Sequence, residues 1–244
     1  MTPSEMGSAG IVVEAQDLVV GYDRAVVGPI TGGRGPGVTA LLGRNGAGKT
    51  TLMRTLCGVI PAMSGRCAVF GEDVSDGAAV RSRVGYLGHE LALASALTVE
   101  QNLSFWREVW DSIPKSTLID HDELIDRFDL TEVLGRRVRS LSRGQRQRVE
   151  MARLAMTDPD VVILDEPLTG LDPVYAAQIR DLLRDWGRTR TVLYSTHSVP
   201  EALELADRFL LVRGADLIDL SPDNNQGEDA VTEQIILNHL EPAA

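Results

Sequence analysis

Lysine is nearly missing from this chain. Of 24 basic residues only Lys49 and Lys115 are lysines, and the rest are arginine. Cysteine is equally scarce. Cys57 and Cys67 are too few for a disulfide framework and form no C-x-x-C pair, so buried free thiols are expected. Positive charge is not in surplus either: 35 Asp and Glu residues give a formal charge of −11 over 244 residues. That is the reverse of the basic footprint of a general nucleic-acid binder. No apolar run approaches the roughly 18 residues needed to cross a bilayer. Met1 to Gly10 lacks both the basic start and the apolar stretch of a signal peptide. These absences predict a cytosolic chain with no nucleic-acid partner and no membrane span of its own. They leave room for a nucleotide site, which needs positive potential only at one loop and one helix N-terminus.

The patterns that are present divide the chain. Residues 1–10 read as a loose tail of Ser, Gly, Pro and Glu. Ile11–Val13 and Leu18–Val20 read as strands, with a turn at Gly21–Asp23. Gly28 to Gly37 carries five glycines and two prolines and reads as loop. Val38–Leu42 is a short, wholly apolar strand of the kind buried in a parallel sheet. A helix follows from about Gly48 to Cys57, ending at Gly58 with Pro61 beyond. From about residue 90, helical periodicity takes over, carried by Trp106, Trp110, Leu124, Phe128, Leu130 and Leu134. Thr98 and Gln101 have the spacing of a capping box opening a helix to about Trp110. Ser142 precedes another helix, Gly144 to Met156. Strands then alternate with helices: Val161–Leu164, Val174–Trp186, Thr191–Tyr194, Val199–Ala206 and Phe209–Val212. Such alternation predicts an α/β fold with a mainly parallel sheet, here with N-terminal antiparallel β strands and an inserted helical subdomain. The expected division is one domain over 11–220, with a core at about 11–89 and 157–220 and a helical subdomain at about 90–156. A polar spacer at 221–229 and a short amphipathic helix over Val231–Leu240 close the chain.

Two motifs carry chemistry. Gly43-Arg44-Asn45-Gly46-Ala47-Gly48-Lys49-Thr50-Thr51 fits the P-loop pattern G-x-x-x-x-G-K-S/T, in which glycines let backbone N–H groups close around a phosphate chain. A plain Gly-rich turn before a helix is the other reading. Composition favours the first, because one of the two lysines occupies the P-loop position. A compact ammonium reaches between β- and γ-phosphates, where a planar guanidinium would crowd the loop. Val161-Val162-Ile163-Leu164-Asp165-Glu166 is an apolar strand ending in two carboxylates. Ligands of open α/β sheets bind outside the carboxyl ends of strands. One acid there can hold Mg²⁺ together with the Thr50 hydroxyl, and the next can orient a water. Paired acids also end strands at ordinary surface turns; the upstream P-loop is what distinguishes this pair.

A third motif, Leu141-Ser142-Arg143-Gly144-Gln145, opens a helix inside the helical insertion. P-loop, signature and the strand segment Val161–Asp172 occur in the order found in ATP-binding-cassette (ABC) ATPases, and the chain resembles that family from residue 11 to about 220. The resemblance implies a P-loop NTPase core that binds ATP and Mg²⁺. It implies that Tyr22 stacks on adenine and that Gly43, Arg44, Asn45, Gly46, Ala47, Gly48, Lys49, Thr50 and Thr51 cradle the triphosphate. Asp165, with Thr50, would hold Mg²⁺; Glu166 would be the general base; His197 would be the switch histidine contacting the γ-phosphate. Ser142, Gly144 and Gln145 would form an anion site facing the P-loop of a second chain, with Asp172 communicating across that dimer. Two positions depart from the family pattern. Arg143 stands where Gly is usual, and His89 ends the segment Val84–His89 where Gln is usual. His89 either imitates the amide or lies outside the site.

The resemblance therefore implies an ATP-hydrolysing subunit of an ABC transporter, similar in wording to drug, antibiotic and haem exporters. It would form a dimer, most simply a homodimer, and sit peripherally on the inner face of the cell membrane. A separate integral-membrane permease would dock on the helical subdomain. Trp106 and Trp110 either meet that partner or pack the subdomain's core. The alternative is a non-transport ABC ATPase acting on DNA or ribosomes. Against it, residues 52–140 hold no sustained heptads and the chain carries a single cassette. A soluble P-loop kinase or GTPase leaves the Ser142 signature and His197 without a role.

Overall fold

Apolar side chains fill both faces of the central strands, and that fixes the layering. The structure, a computed structural model, describes residues 10, 12–89, 92–113, 118–221 and 231–240. The expected tail, apart from Gly10, and the expected spacer at 221–229, apart from Ser221, lie outside the described residues. The central sheet contains β3 (Gly37–Gly43), β6 (Val84–Leu87), β7 (Val161–Leu164), β8 (Thr191–Ser195), β9 (Arg208–Arg213) and β10 (Asp216–Asp219), in the order β10-β9-β3-β8-β7-β6. All pairs are parallel except β9 with β10. Because side chains alternate along a strand, Leu41, Ile163, Leu193 and Leu210 face one layer, while Leu42, Val162, Tyr194 and Leu211 face the other.

The first layer holds α1 (Lys49–Leu56), through Leu52 and Met53, and an antiparallel sheet. That sheet runs β2-β1-β4-β5, with β1 (Val13–Gly21), β2 (Ala25–Arg34), β4 (Ser64–Val69) and β5 (Glu72–Asp73). Here the expected loop at 28–37 is corrected. Residues through Arg34 form the edge strand β2, in register from Val13↔Arg34 to Gly21↔Ala25. Pro29 is tolerated because β2 lies at the sheet edge, where a missing N–H costs little. Strands β4, β5 and β10 had no sequence expectation.

The second layer holds α6 (Pro173–Gly187) and α7 (Val199–Leu205), which bury Leu183, Trp186, Ala202 and Leu205. It also joins the helical segment α3 (Val99–Asp111), α4 (His121–Arg127) and α5 (Arg143–Ala155). Both halves of the capping box expected at Thr98 and Gln101 are formed. Ser142 and Gln145 make a second one at the start of α5, each cap being worth about 1 kcal/mol. A buried ion pair ties α5 to the central sheet. Arg153 donates to Glu150 at 2.8 Å and to the Tyr86 carbonyl at 3.0 Å, while Glu150 accepts the Leu93 N–H at 3.2 Å. The short α2 (Ala78–Arg81) precedes β6, and α8 (Glu233–Leu240) is the expected closing helix. Among the described residues, no helix is long and apolar enough to cross a membrane.

Of the two readings open for the tryptophans, the structure takes core packing. Trp106 and Trp110 are partly buried against the core, with Trp106 donating to the Ala92 carbonyl, and the exposed aromatic of α3 is Phe105, at 52%. Trp106 and Trp110, four residues apart, share one face of α3 and stack with ring centroids 6.4 Å apart, while Phe105 lies off that face, a distinction that hydrophobicity alone does not make.

Candidate nucleotide site

Strand order builds the site. β3, β8, β7 and β6 are consecutive and parallel, so their carboxyl ends open on one edge. There, β3 runs into the P-loop, β7 into Asp165 and Glu166, β8 ends on Ser195, and β6 leads to His89. A cleft of ≈ 430 Å³ lies against them, lined by Val26, Asn45 to Thr51, His89, Asp165 and Glu166.

The loop is shaped by glycine. Gly46 and Gly48 have φ of 79° and 105°, values that L side chains rarely adopt. At Gly48 a Cβ would also come within 2.5 Å of Val26. Gly48 caps α1, whose first turn contains no acid, so its unpaired N–H groups and dipole offer an anion site. The Lys49 ammonium folds back over the loop, donating to the Gly43 carbonyl at 2.6 Å and the Arg44 carbonyl at 3.2 Å. Burial pushes its pKa below the usual lysine value, although the carboxylates of Glu166 and Asp165 pull the other way.

Asp165 is buried between two hydroxyls. Thr50 Oγ1 donates to one carboxylate oxygen at 2.7 Å and Ser195 Oγ to the other at 2.6 Å. Glu166 follows with φ of 51°, a left-handed conformation rare for a non-glycine residue and typical of constrained sites. Its N–H donates to Ser195 Oγ at 2.9 Å, and Thr169 Oγ1 donates to its carboxylate at 3.1 Å. His197 Nδ1 stands 3.6 Å from Glu166 Oε1, although His197 is exposed and is not among the residues lining the cleft.

The remaining expected residues lie elsewhere. Tyr22 is 58% exposed in the turn after β1, and Val26 is the residue of that region lining the cleft. Ser142 is exposed at the start of α5, its hydroxyl accepting the Gln145 N–H; Gly144 and Gln145 occupy the first turn. None of the three lines the cleft. Asp172 caps α6 by accepting the Tyr175 N–H at 3.0 Å. The Arg143 guanidinium lies across Gly170, where a Cβ would meet it at 2.4 Å, so this arginine packs on the Thr169–Asp172 loop of its own chain. Gln147 donates to the Pro167 carbonyl at 3.2 Å, a second link between α5 and the segment after β7. Sequence reasoning gave Ser195 no role. Its only signal was a hydroxyl at the end of an apolar strand, two residues before His197.

A phosphate loop and an acid at the ends of two parallel strands, with β8 between them, define a P-loop nucleoside triphosphatase. Comparison with known proteins narrows that class. The sequence pattern describing the ABC transporter family matches residues 35–169. The daunorubicin resistance ATP-binding protein DrrA3 of Streptomyces coeruleorubidus is 39% identical over 210 residues, which cover 85% of this chain and 66% of that protein. The ABC transporter ATP-binding protein NatA of Bacillus subtilis is 33% identical over 184 residues, covering 74% of this chain and 75% of NatA. Other relatives carry names of export and of import systems alike. Among solved structures, cbiO1 from Clostridium perfringens, described as part of the ABC transporter complex cbiONQ, has a TM-score of 0.71 at 26% identity. That likeness covers 86% of this chain and 87% of cbiO1. The chain belongs to the ABC transporter family, as an ATP-binding subunit. Members of this family hydrolyse ATP, bind it with Mg²⁺ and work with membrane permeases.

Proposed function

We propose that this chain powers export through a separate integral-membrane permease. Two copies clasp ATP and Mg²⁺ between them at the inner face of the cell membrane. The observation that carries the reading is the Thr50–Asp165–Ser195 cluster beside Glu166, on the edge where the P-loop opens. Its donor set fits Mg²⁺. Among the described residues no three His, Cys, Asp or Glu side chains cluster as a self-sufficient metal cage. One carboxylate and one hydroxyl is the partial set that this ion completes with phosphate oxygens and water. Thr50 and Asp165 would hold it. When bound, Mg²⁺ offsets the negative charge that develops on the transferring phosphoryl group.

In this reading Gly43 to Thr51 surround the triphosphate, Lys49 turns its ammonium from the loop carbonyls toward the phosphates, and Tyr22 stacks on adenine. Glu166 takes the proton of the attacking water, and His197 beside it contacts the γ-phosphate. Ser142, Gly144, Gln145 and Asp172 lie off the cleft of their own chain and serve the nucleotide of the other copy. The ATPase unit is residues 11–220, with a core at about 11–89 and 157–220. The helical part at about 90–156 receives the permease, with exposed Phe105 as a contact. Export is favoured over import by the similarity to a protein named for daunorubicin resistance.

Glu166→Gln tests the reading. ATP binding should persist, turnover should fall by roughly 10²–10⁴-fold, and light scattering should show a dimer with ATP. A strictly monomeric variant at saturating ATP, or one with undiminished turnover, contradicts it. Export is checked by inverted vesicles carrying the chain and its permease, which must move substrate inward when ATP is added outside.

A further inference from the structure

Away from the nucleotide cleft, the two sheets fail to meet completely. A cavity of ≈ 300 Å³ opens between them, walled by aliphatic side chains that include Leu18, Ile30, Leu52, Leu56, Ile163 and Leu193. No residue lines both this cavity and the nucleotide cleft. Three threonines are among its lining residues, and one of them, Thr31 on β2, is hydrogen-bonded to Asp17. Thr39 on β3 and Thr191 on β8 belong to adjacent parallel strands and face the cavity, two residues before Leu41 and Leu193 respectively. They are 1% and 4% exposed, and neither Oγ1 has a hydrogen-bond partner among the described residues. At the rim, Arg34 and Asp219 are paired, and the Arg34 Nε is buried with no partner.

A buried hydroxyl without a partner is costly, and valine has nearly the same shape. Two such hydroxyls on one wall therefore point to something that hydrogen-bonds them. Water alone answers only part of the need: it can bridge the hydroxyls, but it gains nothing from the aliphatic surface around them. A molecule with an apolar body and one polar group satisfies both. The paired charges at the rim cancel, which favours a neutral guest. An aliphatic cavity of roughly 150 Å³ takes up benzene, so a space about twice as large admits two fused rings. We propose that the inter-sheet cavity binds a small, neutral, mainly apolar molecule carrying one hydroxyl or carbonyl, which Thr39 and Thr191 hydrogen-bond.

The test uses 2-naphthol and naphthalene as probes on the nucleotide-free full chain, by calorimetry and thermal shift. Wild type should bind 2-naphthol more tightly than naphthalene. Thr39→Val/Thr191→Val should cost 2-naphthol roughly tenfold in affinity and leave naphthalene unchanged. Ile30→Trp, filling the cavity from the edge strand, should abolish both. Equal 2-naphthol binding by the double valine variant, intact binding by Ile30→Trp, or no binding by wild type overturns the proposal. Because a core variant can misfold, the wild type supplies an independent check. Its Thr39 and Thr191 methyl groups must show nuclear Overhauser contacts to the ring protons of 2-naphthol, and their absence also overturns it. Probe binding that emerges only after residues 1–9 are deleted would make the chain's own N-terminus the occupant, and the proposal fails.

Discussion

Ser195 Oγ stands 2.6 Å from Asp165 Oδ1 and accepts the N–H of Glu166 at 2.9 Å. One wholly buried hydroxyl thus holds both consecutive acids, spending its proton on the first and its lone pair on the second. The sheet explains why this serine does so. β8 lies between the P-loop strand and the acid strand, so the residue ending β8 is equidistant in topology from both.

Ser195→Ala should therefore lower turnover by roughly 10–100-fold, the usual cost of removing a group that orients a metal-binding carboxylate. ATP affinity without Mg²⁺ should stay within about threefold, since the P-loop cradle is untouched. Steady-state hydrolysis and equilibrium nucleotide binding separate the two effects. Unchanged turnover would remove Ser195 from the machinery.

Asp172 can be divided into cap and charge. Asp172→Ala should destabilise the chain by about 0.5–2 kcal/mol, because α6 loses its side-chain cap. Asp172→Asn should keep stability within a few tenths of a kcal/mol, asparagine being an equal cap. If Asn also reduces ATP-driven dimerisation, the charge acts between chains. Urea unfolding and light scattering read the two properties independently.

The thiols make stability fall at alkaline pH. Burial pushes Cys67 up to about 12 and raises Cys57 well above the ordinary thiol value. The native chain thus keeps protons that the unfolded chain releases. The associated stability is full below the unfolded thiol range and is lost as pH rises toward the native values, by at most about 1.4 kcal/mol per pH unit for each group. Urea midpoints from pH 8 to 10.5 should decline, and more gently in Cys57→Ala/Cys67→Ala. Burial raises the Tyr175 and Tyr194 phenols with the same sign, so a residual slope should survive. In the native protein at pH 8 both thiols should resist Ellman's reagent. Rapid labelling would mean they are not buried.

Local patterns were readable where a short segment determines its own structure. The apolar run Val161–Leu164, the Thr98–Gln101 cap and the glycine spacing of the P-loop all depend on neighbours within a few residues. β2 was not readable, because its glycines and Pro29 disfavour a strand until β1 supplies a ladder. Ser195 was not readable as a site residue either, since its two partners lie 29 and 30 positions away and meet it only through strand order. Phe105 and Trp106 are adjacent, and only the packing of α3 decides which is exposed. Arg143 is visible as a departure from the family pattern, but its place against Gly170 required the turn that brings that loop to α5.

The shortage of lysine has a chemical corollary. An acylating reagent or modifying enzyme that seeks side-chain amines finds two addresses in the whole sequence, and one of them is Lys49. That amine is buried and hydrogen-bonded to its own loop, so it is shielded at rest. Acylation there would erase the cation that the phosphate loop depends on, making a single covalent mark on this protein equivalent to switching it off.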